Sequence, residues 1–316
     1  MPVDYLHNHR QLADLIRIVA QERGIDPALI EKDYWIMHCL YGLQRLGLTF
    51  QLKGGTSLSK GYQAIERFSE DIDILIEPPP GWEIKTKPNQ DKPAHVESRR
   101  AFFDWLANDK IRIDGITTVE RDMAFDNAKL FSAGIRLLYP TKVPALKGLR
   151  EGVLLEAGFD TVAPNAPRDI SSWLYDHAVA SGVDIIDNRA KGVPCYDPCY
   201  TFVEKLQTIS TKFRQQPSSG AAPQEFMRHY YDAYNLLLRP EVQAFIGTEA
   251  YRTHKRKRFR SGDDPDITRN QAFILADPAT RGLYAKAYAL STVLYFGTKP
   301  TFDQILAAFG EWASRL

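Results

Sequence analysis

The sequence predicts an α+β protein in two parts: a mixed α and β lobe over residues 1–195, then a helical lobe over 196–316. Three observations lead there. Short β-branched runs such as "DIDILI" at 71–76 alternate with helical stretches in the first part, while helix follows helix beyond "YDP" at Tyr196–Pro198. At 316 residues, the chain is also long enough for two ordinary lobes.

The elements follow in order. Leu12, Leu15, Ile16 and Val19 recur at helical spacing, and Gly24 closes that helix. Asp26 caps a second helix and Pro27 fits its first turn, leading into "ALIEKDYWIMHCLYGL". Thr49 to Leu52 reads as a short strand, Gly54 and Gly55 as a turn, Thr56 to Ile65 as a helix, and Asp71 to Ile76 as a strand. The Pro-rich, charged stretch Glu77 to Ala94 is an exposed connection. A helix at His95 to Asn108 precedes two strands, "SAGIRLLYP" and "EGVLLEAGF", joined by a basic loop. The second part carries helices at Cys199–Phe213, Gln224–Leu238, Pro240 to about Lys257, Pro278–Leu294 and Thr301–Arg315, the last opened by a Thr301/Gln304 capping box. "RQQPSSGAAPQ" between the first two reads as a flexible loop.

Composition excludes several classes. Lys plus Arg number 40 against 39 Asp plus Glu, so no global field advertises nucleic acid or membrane, and such a partner needs a local patch. Three cysteines, with Cys195 and Cys199 lacking a second metal-binding pair, suit a reduced protein better than a zinc site. No apolar run approaches the ~20 residues of a membrane span, and the N-terminus is charged where a signal peptide is apolar. A cytoplasmic protein is the expectation.

The chemistry is densest in "KGGTSLSKGYQAIERFSEDIDILIE", Lys53 to Glu77. In a strand, Asp71 and Asp73 share one face while Ile72, Ile74 and Ile76 share the other. Two carboxylates side by side repel, and a divalent cation removes that repulsion. Mg²⁺ (or Mn²⁺) prefers a carboxylate pair completed by water and phosphate oxygens. The glycine turn offers backbone N–H groups to phosphate, with the Thr56 and Ser57 hydroxyls nearby. Alone, either pattern is more often a solvated turn or cap. It is their order that points to phosphoryl or nucleotidyl transfer.

That ordered set resembles the nucleotidyltransferase superfamily of DNA polymerase beta. More closely, "EKDYW" at Glu31–Trp35, "KGGTSLSK" and "ERFSEDIDI" resemble the AbiEii/AbiGii toxin family over nearly the whole chain. The resemblance implies a polymerase beta-like core, a mixed sheet flanked by helices, with a C-terminal helical lobe completing the nucleotide and acceptor cleft. It implies Asp71 and Asp73 as metal ligands and Gly54, Gly55, Thr56 and Ser57 as the nucleotide-binding turn. It also implies a third carboxylate: Glu156, at the end of an apolar strand, would orient or deprotonate the attacking hydroxyl, with Asp160 as the fallback and a water-facing edge glutamate as the alternative.

From the helical lobe the resemblance implies a lysine on the first helix, here Lys205, and an arginine and aspartate on the next, here Arg228 and Asp232. Phe202, Leu206, Ile209 and Phe213 form that first helix's apolar stripe. Lys205 and Lys212, seven apart on one flank, would suit a triphosphate, or be a solvated face with snorkelling stems. Arg228 and Asp232 could pair along their helix, or Asp232 could position Lys205. "EKDYW" reads as packing that braces the glycine turn. Lys53, Lys60 and Arg67 could touch phosphate or pair with Glu66 and Glu70. His7 and His9 read as surface histidines and His229 as packing.

"YRTHKRKRFR" at Tyr251–Arg260 interleaves aromatics with cations as RNA-binding surfaces do, but "SGDDPD" follows, so a helix end answered by local acids is the alternative. The activity the resemblance implies is Mg²⁺-dependent transfer of NMP from NTP to RNA, by analogy the tRNA 3′ end, by the toxin of a toxin–antitoxin pair with a cognate antitoxin. Two rivals keep the fold. One is a kinase-like enzyme acting on a protein or on itself at Ser57 or Ser69, the other a catalytically silent RNA- or partner-binding module.

Overall fold

The computed structural model describes residues 3–87, 89–219, 223–292 and 295–316. It divides into two compact units, Met1–Gly61 with Phe68–Tyr196, and Tyr62–Arg67 with Asp197–Leu316. No helix among the described residues is long and apolar enough to cross a membrane.

The first unit is built on a seven-stranded mixed sheet of order β3-β4-β5-β2-β1-β7-β6. The strands are β1 (Phe50–Lys53), β2 (Asp71–Ile76), β3 (Thr118–Asp122), β4 (Ser132–Leu138), β5 (Val153–Gly158), β6 (Asn165–Ile170) and β7 (Ala190–Tyr196). At its centre β2 runs antiparallel to β1 and parallel to β5. Helices α1 (Leu12–Arg23) and α2 (Pro27–Arg45) start and stop where the sequence says. Gly24 sits at φ +64°, and the Asp26 carboxylate accepts the Ala28 N–H at 2.9 Å. α2 packs on β2, β5 and β7 and also against α5 (Trp173–Ala180), so it is buried along nearly its whole length.

Two expectations need correction here. After β1 the chain forms a short helix α3 (Gly54–Thr56) and a π-helical turn, Ser57–Gly61, rather than a helix to Ile65. The left-handed Gln63 (φ +49°) lies outside any helix, and residues 62–67 join the second unit. Nor did the sequence show β3, β6, β7 or α5. The helix α4 (Pro93–Trp105) is followed by a π-helical turn at Leu106–Lys110.

The second unit is helical: α6 (Pro198–Ser219), α7 (Met227–Leu237), α8 (Pro240–Phe245), α9 (Glu249–Arg258), α10 (Gln271–Ile274), α11 (Pro278–Ser291) and α12 (Phe302–Trp312). Its core gathers Phe202, Leu206 and Ile209 of α6, Tyr230 and Leu237 of α7, and Phe302 and Phe309 of α12. The capping box of α12 is present, with the Gln304 N–H on the Thr301 hydroxyl at 3.2 Å and the Thr301 N–H on the Gln304 side chain at 2.7 Å. Two boundaries differ from expectation. The helix expected from Pro240 to Lys257 is two, because Gly247 turns at φ +80° and the Thr248 side chain caps α9 anew. α6 carries on through Pro217, which gives up one helical hydrogen bond near the C-terminus, into the segment expected to be a loop. Residues 220–222 of that loop, and Leu294 of the expected 278–294 helix, lie outside the described residues.

Candidate active site

The period-two pattern of β2 does what the sequence requires. Ile72, Ile74 and Ile76 are fully buried on one face, leaving Asp71 and Asp73 on the other, Asp71 buried and Asp73 half-buried. Register then adds the third carboxylate, because Asp73 lies directly opposite Glu156 on β5 and opposite Lys53 on β1. Paired residues on neighbouring strands share a face at about 4.8 Å strand spacing, so Lys53, Asp73 and Glu156 form one row across three strands. Glu156 is half-buried, whereas Asp160 is exposed beyond the end of β5.

The glycine turn is fitted against this row. Gly54 has φ +72°, and a Cβ built on it would meet the Asp73 Oδ2 at 2.0 Å. Only glycine lets the chain turn so close to that carboxylate. Gly55 is buried, and the Thr56 hydroxyl donates to the Asp71 carbonyl at 2.5 Å, clamping the turn to β2. The hydroxyl of Thr56 is therefore committed to the main chain of β2. Ser57 is buried too, beside Cys195 of β7, whose thiol burial pushes up to about 11 against the opposing effect of the Ser57 hydroxyl. A buried Ser57 is a poor self-phosphorylation target.

"EKDYW" does brace this turn, but through buried polar groups. Asp33 receives the Lys60 ammonium at 2.5 Å and the Trp173 N–H at 2.9 Å, and Lys60 also lies 4.4 Å over the Trp173 ring. Burial raises the Asp33 pKa against the pull of Lys60. The buried Lys32 donates to the Arg150 carbonyl at 2.8 Å and reaches Glu70 at 3.4 Å, next to the starts of β5 and β2. Burial lowers its pKa, opposed by Glu70 and Asp71. His7, expected at the surface, is instead buried, with Nδ1 2.9 Å from the Tyr34 hydroxyl and Nε2 2.7 Å from Asp114. Tyr34, on α2, supplies the partner that draws it in.

In the helical unit, the fully buried Asp232 binds the Arg67 guanidinium in two-pronged fashion at 2.6 and 2.8 Å and the Lys205 ammonium at 2.8 Å. Burial alone would raise its pKa, but the two cations hold it well below the usual carboxylate range. The Arg67 pKa rises, because the pull of Asp232 outweighs the effect of burial. His229 Nδ1 stands 3.4 Å from Lys205, and burial, then Lys205 and Arg228, keep that imidazole neutral. Arg67, left unassigned by the sequence, is thus the second partner of Asp232. Its only signal was being a cation beside the Asp-x-Asp strand, and nothing local could name Asp232.

Two expected groupings are not formed. Lys212 is exposed while Lys205 is buried on Asp232, so the lysine pair is not one surface. Arg228 is exposed and makes no ion pair with a described residue, so the pairing with Asp232 is absent. Among the described residues no three His, Cys, Asp or Glu side chains gather into a metal cluster. Two carboxylates on one face do fit Mg²⁺, which is commonly held by one or two carboxylates plus water and phosphate and not by an all-protein cage.

Among curated proteins, none matches the chain. The sequence pattern of one family, described as "Nucleotidyl transferase AbiEii toxin, Type IV TA system", matches residues 38–308, starting just after the "EKDYW" block and covering β1, the glycine turn, β2, β5 and the Arg67–Asp232–Lys205 cluster. That span is most of the sequence and includes every candidate residue above from Lys53 onward, so the chain belongs to the AbiEii nucleotidyl transferase toxin family.

Proposed function

We propose that this protein transfers a nucleoside monophosphate from an NTP to the 3′ hydroxyl of an RNA, a tRNA by resemblance, and acts in the cytoplasm as a toxin restrained by a cognate antitoxin. The observation that carries the reading is the opposition of Asp73 and Glu156, with Gly54 against Asp73. Asp71 and Asp73 would hold Mg²⁺ or Mn²⁺, which neutralises phosphate charge and orients the α-phosphate. The backbone N–H groups of the turn at Gly54–Ser57 would hold phosphate oxygens. Glu156 would accept the proton of the acceptor hydroxyl as its oxygen bonds to the α-phosphorus, while the bond from that phosphorus to the β-bridging oxygen breaks and pyrophosphate leaves. Lys205, held by Asp232, is the cation of the helical unit proposed for nucleotide binding. The test supplies each α-labelled NTP, Mg²⁺ and total RNA to the purified protein. Label should enter RNA, and Asp71→Ala should abolish it. No transfer with any NTP would sink the reading, and γ-label appearing on protein would favour phosphotransfer.

A further inference from the structure

A cavity of about 950 Å³ opens in the helical unit around α9. Its lining includes Tyr251, Arg252, Lys255, Phe259, Arg260 and Arg315. Volume in this range suits a nucleotide-sized ligand. Aromatic rings and cations in one lining are the pairing that holds single-stranded nucleic acid, since bases stack on rings while phosphates meet guanidinium groups.

Two acids, Asp263 and Asp266, also line the cavity, but the acids of this segment already carry partners. Asp263 is held by Arg214 at 2.9 Å and by the Thr211 hydroxyl at 2.5 Å, and Asp264 by Arg269 at 2.9 Å. Asp266 accepts from the Thr268 hydroxyl at 2.6 Å and lies 3.6 Å from Arg269. Two cations of the run are paired, Arg256 with Glu249 at 2.9 Å and Arg258 with Glu204 at 3.3 Å. Lys255 is anchored by donating to the Leu316 main-chain oxygen, which also accepts the Tyr251 hydroxyl at 2.6 Å. Arg252, Arg260 and Arg315 are exposed and make no ion pair with a described residue, Arg315 lying 4.2 Å over the Trp312 ring. Three guanidinium groups without an ion pair among the described residues make the lining positive.

We infer that this cavity is a binding site for a single-stranded stretch of RNA, whose phosphates meet Arg252, Arg260 and Arg315 and one of whose bases stacks on Phe259. The inference rests on the proposal that the acceptor is RNA, and adds where that RNA is held. The probe is a short fluorescein-labelled single-stranded RNA, read by fluorescence anisotropy across a salt series, with sodium polyglutamate as competitor. The triple variant Arg252→Ala, Arg260→Ala, Arg315→Ala should bind about tenfold or more weakly, and its salt slope should fall by about 2, since each single-strand phosphate contact contributes about 0.7. Phe259→Leu should lose about fivefold or more by losing the stacked base. Arg17→Ala, which removes an exposed cation of α1 outside this lining, should bind RNA as the unaltered protein does. Wild-type affinity in the triple variant, no RNA binding by the unaltered protein, or displacement by polyglutamate at equal charge would each overturn the site, the last in favour of an acidic polypeptide. Binding lost in the triple variant without any label transfer by the unaltered protein would keep the site and sink the chemistry. Transfer with unchanged binding in the triple variant would do the reverse.

Discussion

Gly54 carries the closest approach of any glycine in the sheet unit, and Gly24 provides its control. Both have positive φ, +72° and +64°, so alanine at either costs roughly 1–2 kcal/mol of backbone strain. They differ in what a methyl group would meet: Gly24 has nothing within 4 Å, whereas at Gly54 the Asp73 carboxylate must move. Gly54→Ala should therefore lower transfer kcat/KM by about a hundredfold, as misplaced catalytic groups do, while Gly24→Ala lowers thermal stability and leaves kcat/KM near normal. Equal losses in the two variants would show that strain alone matters. Asp232 makes a second residue-scale case. Asp232→Asn would leave the buried Arg67 and Lys205 short of a counter-charge, a loss of about 3–5 kcal/mol at neutral pH. Because the folded pKa of Asp232 is depressed, its contribution is full above the unfolded value of about 3.9 and is lost as pH falls through the folded value. In denaturant titrations the gap between Asp232→Asn and the unaltered protein should be wide at neutral pH and shrink below about pH 4. The shared face of Asp71 and Asp73 was legible because strand period is local information, whereas Glu156 was named only because the family resemblance implies a third carboxylate, its place in an apolar run selecting the position. Arg67 was not, since its partner stands 165 residues away.

At the scale of elements, α2 shows how a helix can be legible in extent and hidden in purpose. Its cap, its proline and its apolar run follow from sequence, yet the polar partners of Lys32, Asp33, Tyr34 and His38 lie on other elements. His38 sits between Asn188 at 2.8 Å and the Asp114 carbonyl at 2.9 Å, and burial, with His7 nearby, lowers its pKa to about 4. The unfolded chain takes up that proton near pH 6.5 and the folded chain resists it, so stability from this site is full above pH ~6.5 and drains as pH falls toward about 4. The loss amounts to about 3 kcal/mol, and His38→Gln should flatten the stability curve across that window. A slope unchanged in that variant would remove His38 from the account. The missed strands fail for compositional reasons. β3 and β6 are sheet edges, β3 with no buried residue and β6 mostly exposed, and β6 contains Pro167. β7 carries Gly192 and Pro194, which read as turn signals, and its pairing with β6 and β1 makes it a strand.

For the molecule as a whole, the chain leaves the first unit after Gly61, contributes Tyr62–Arg67 to the second, returns at Phe68 and leaves again at Asp197. A single boundary near residue 195 was all that composition could offer, because six residues carry no compositional shift. Their attachment is nonetheless specific: Arg67 is buried on Asp232, and the Glu66 carbonyl accepts the Phe296 N–H at 3.0 Å. A fragment ending at Tyr196 keeps every strand of the sheet but strips this segment of its partners. Trypsin cleaves after exposed arginine, and cleavage at a protected site follows the population of the opened state. With a buried ion pair of about 3–5 kcal/mol holding Arg67, cleavage after it in the whole chain should be at least about a hundredfold slower than in the fragment. Mass spectrometry of timed digests reads the two rates directly, and Asp232→Asn in the whole chain should bring its rate toward that of the fragment. Were Arg67 equally resistant in both, the six residues would be held by the sheet unit alone, and the second crossing of the chain would have no stabilising role.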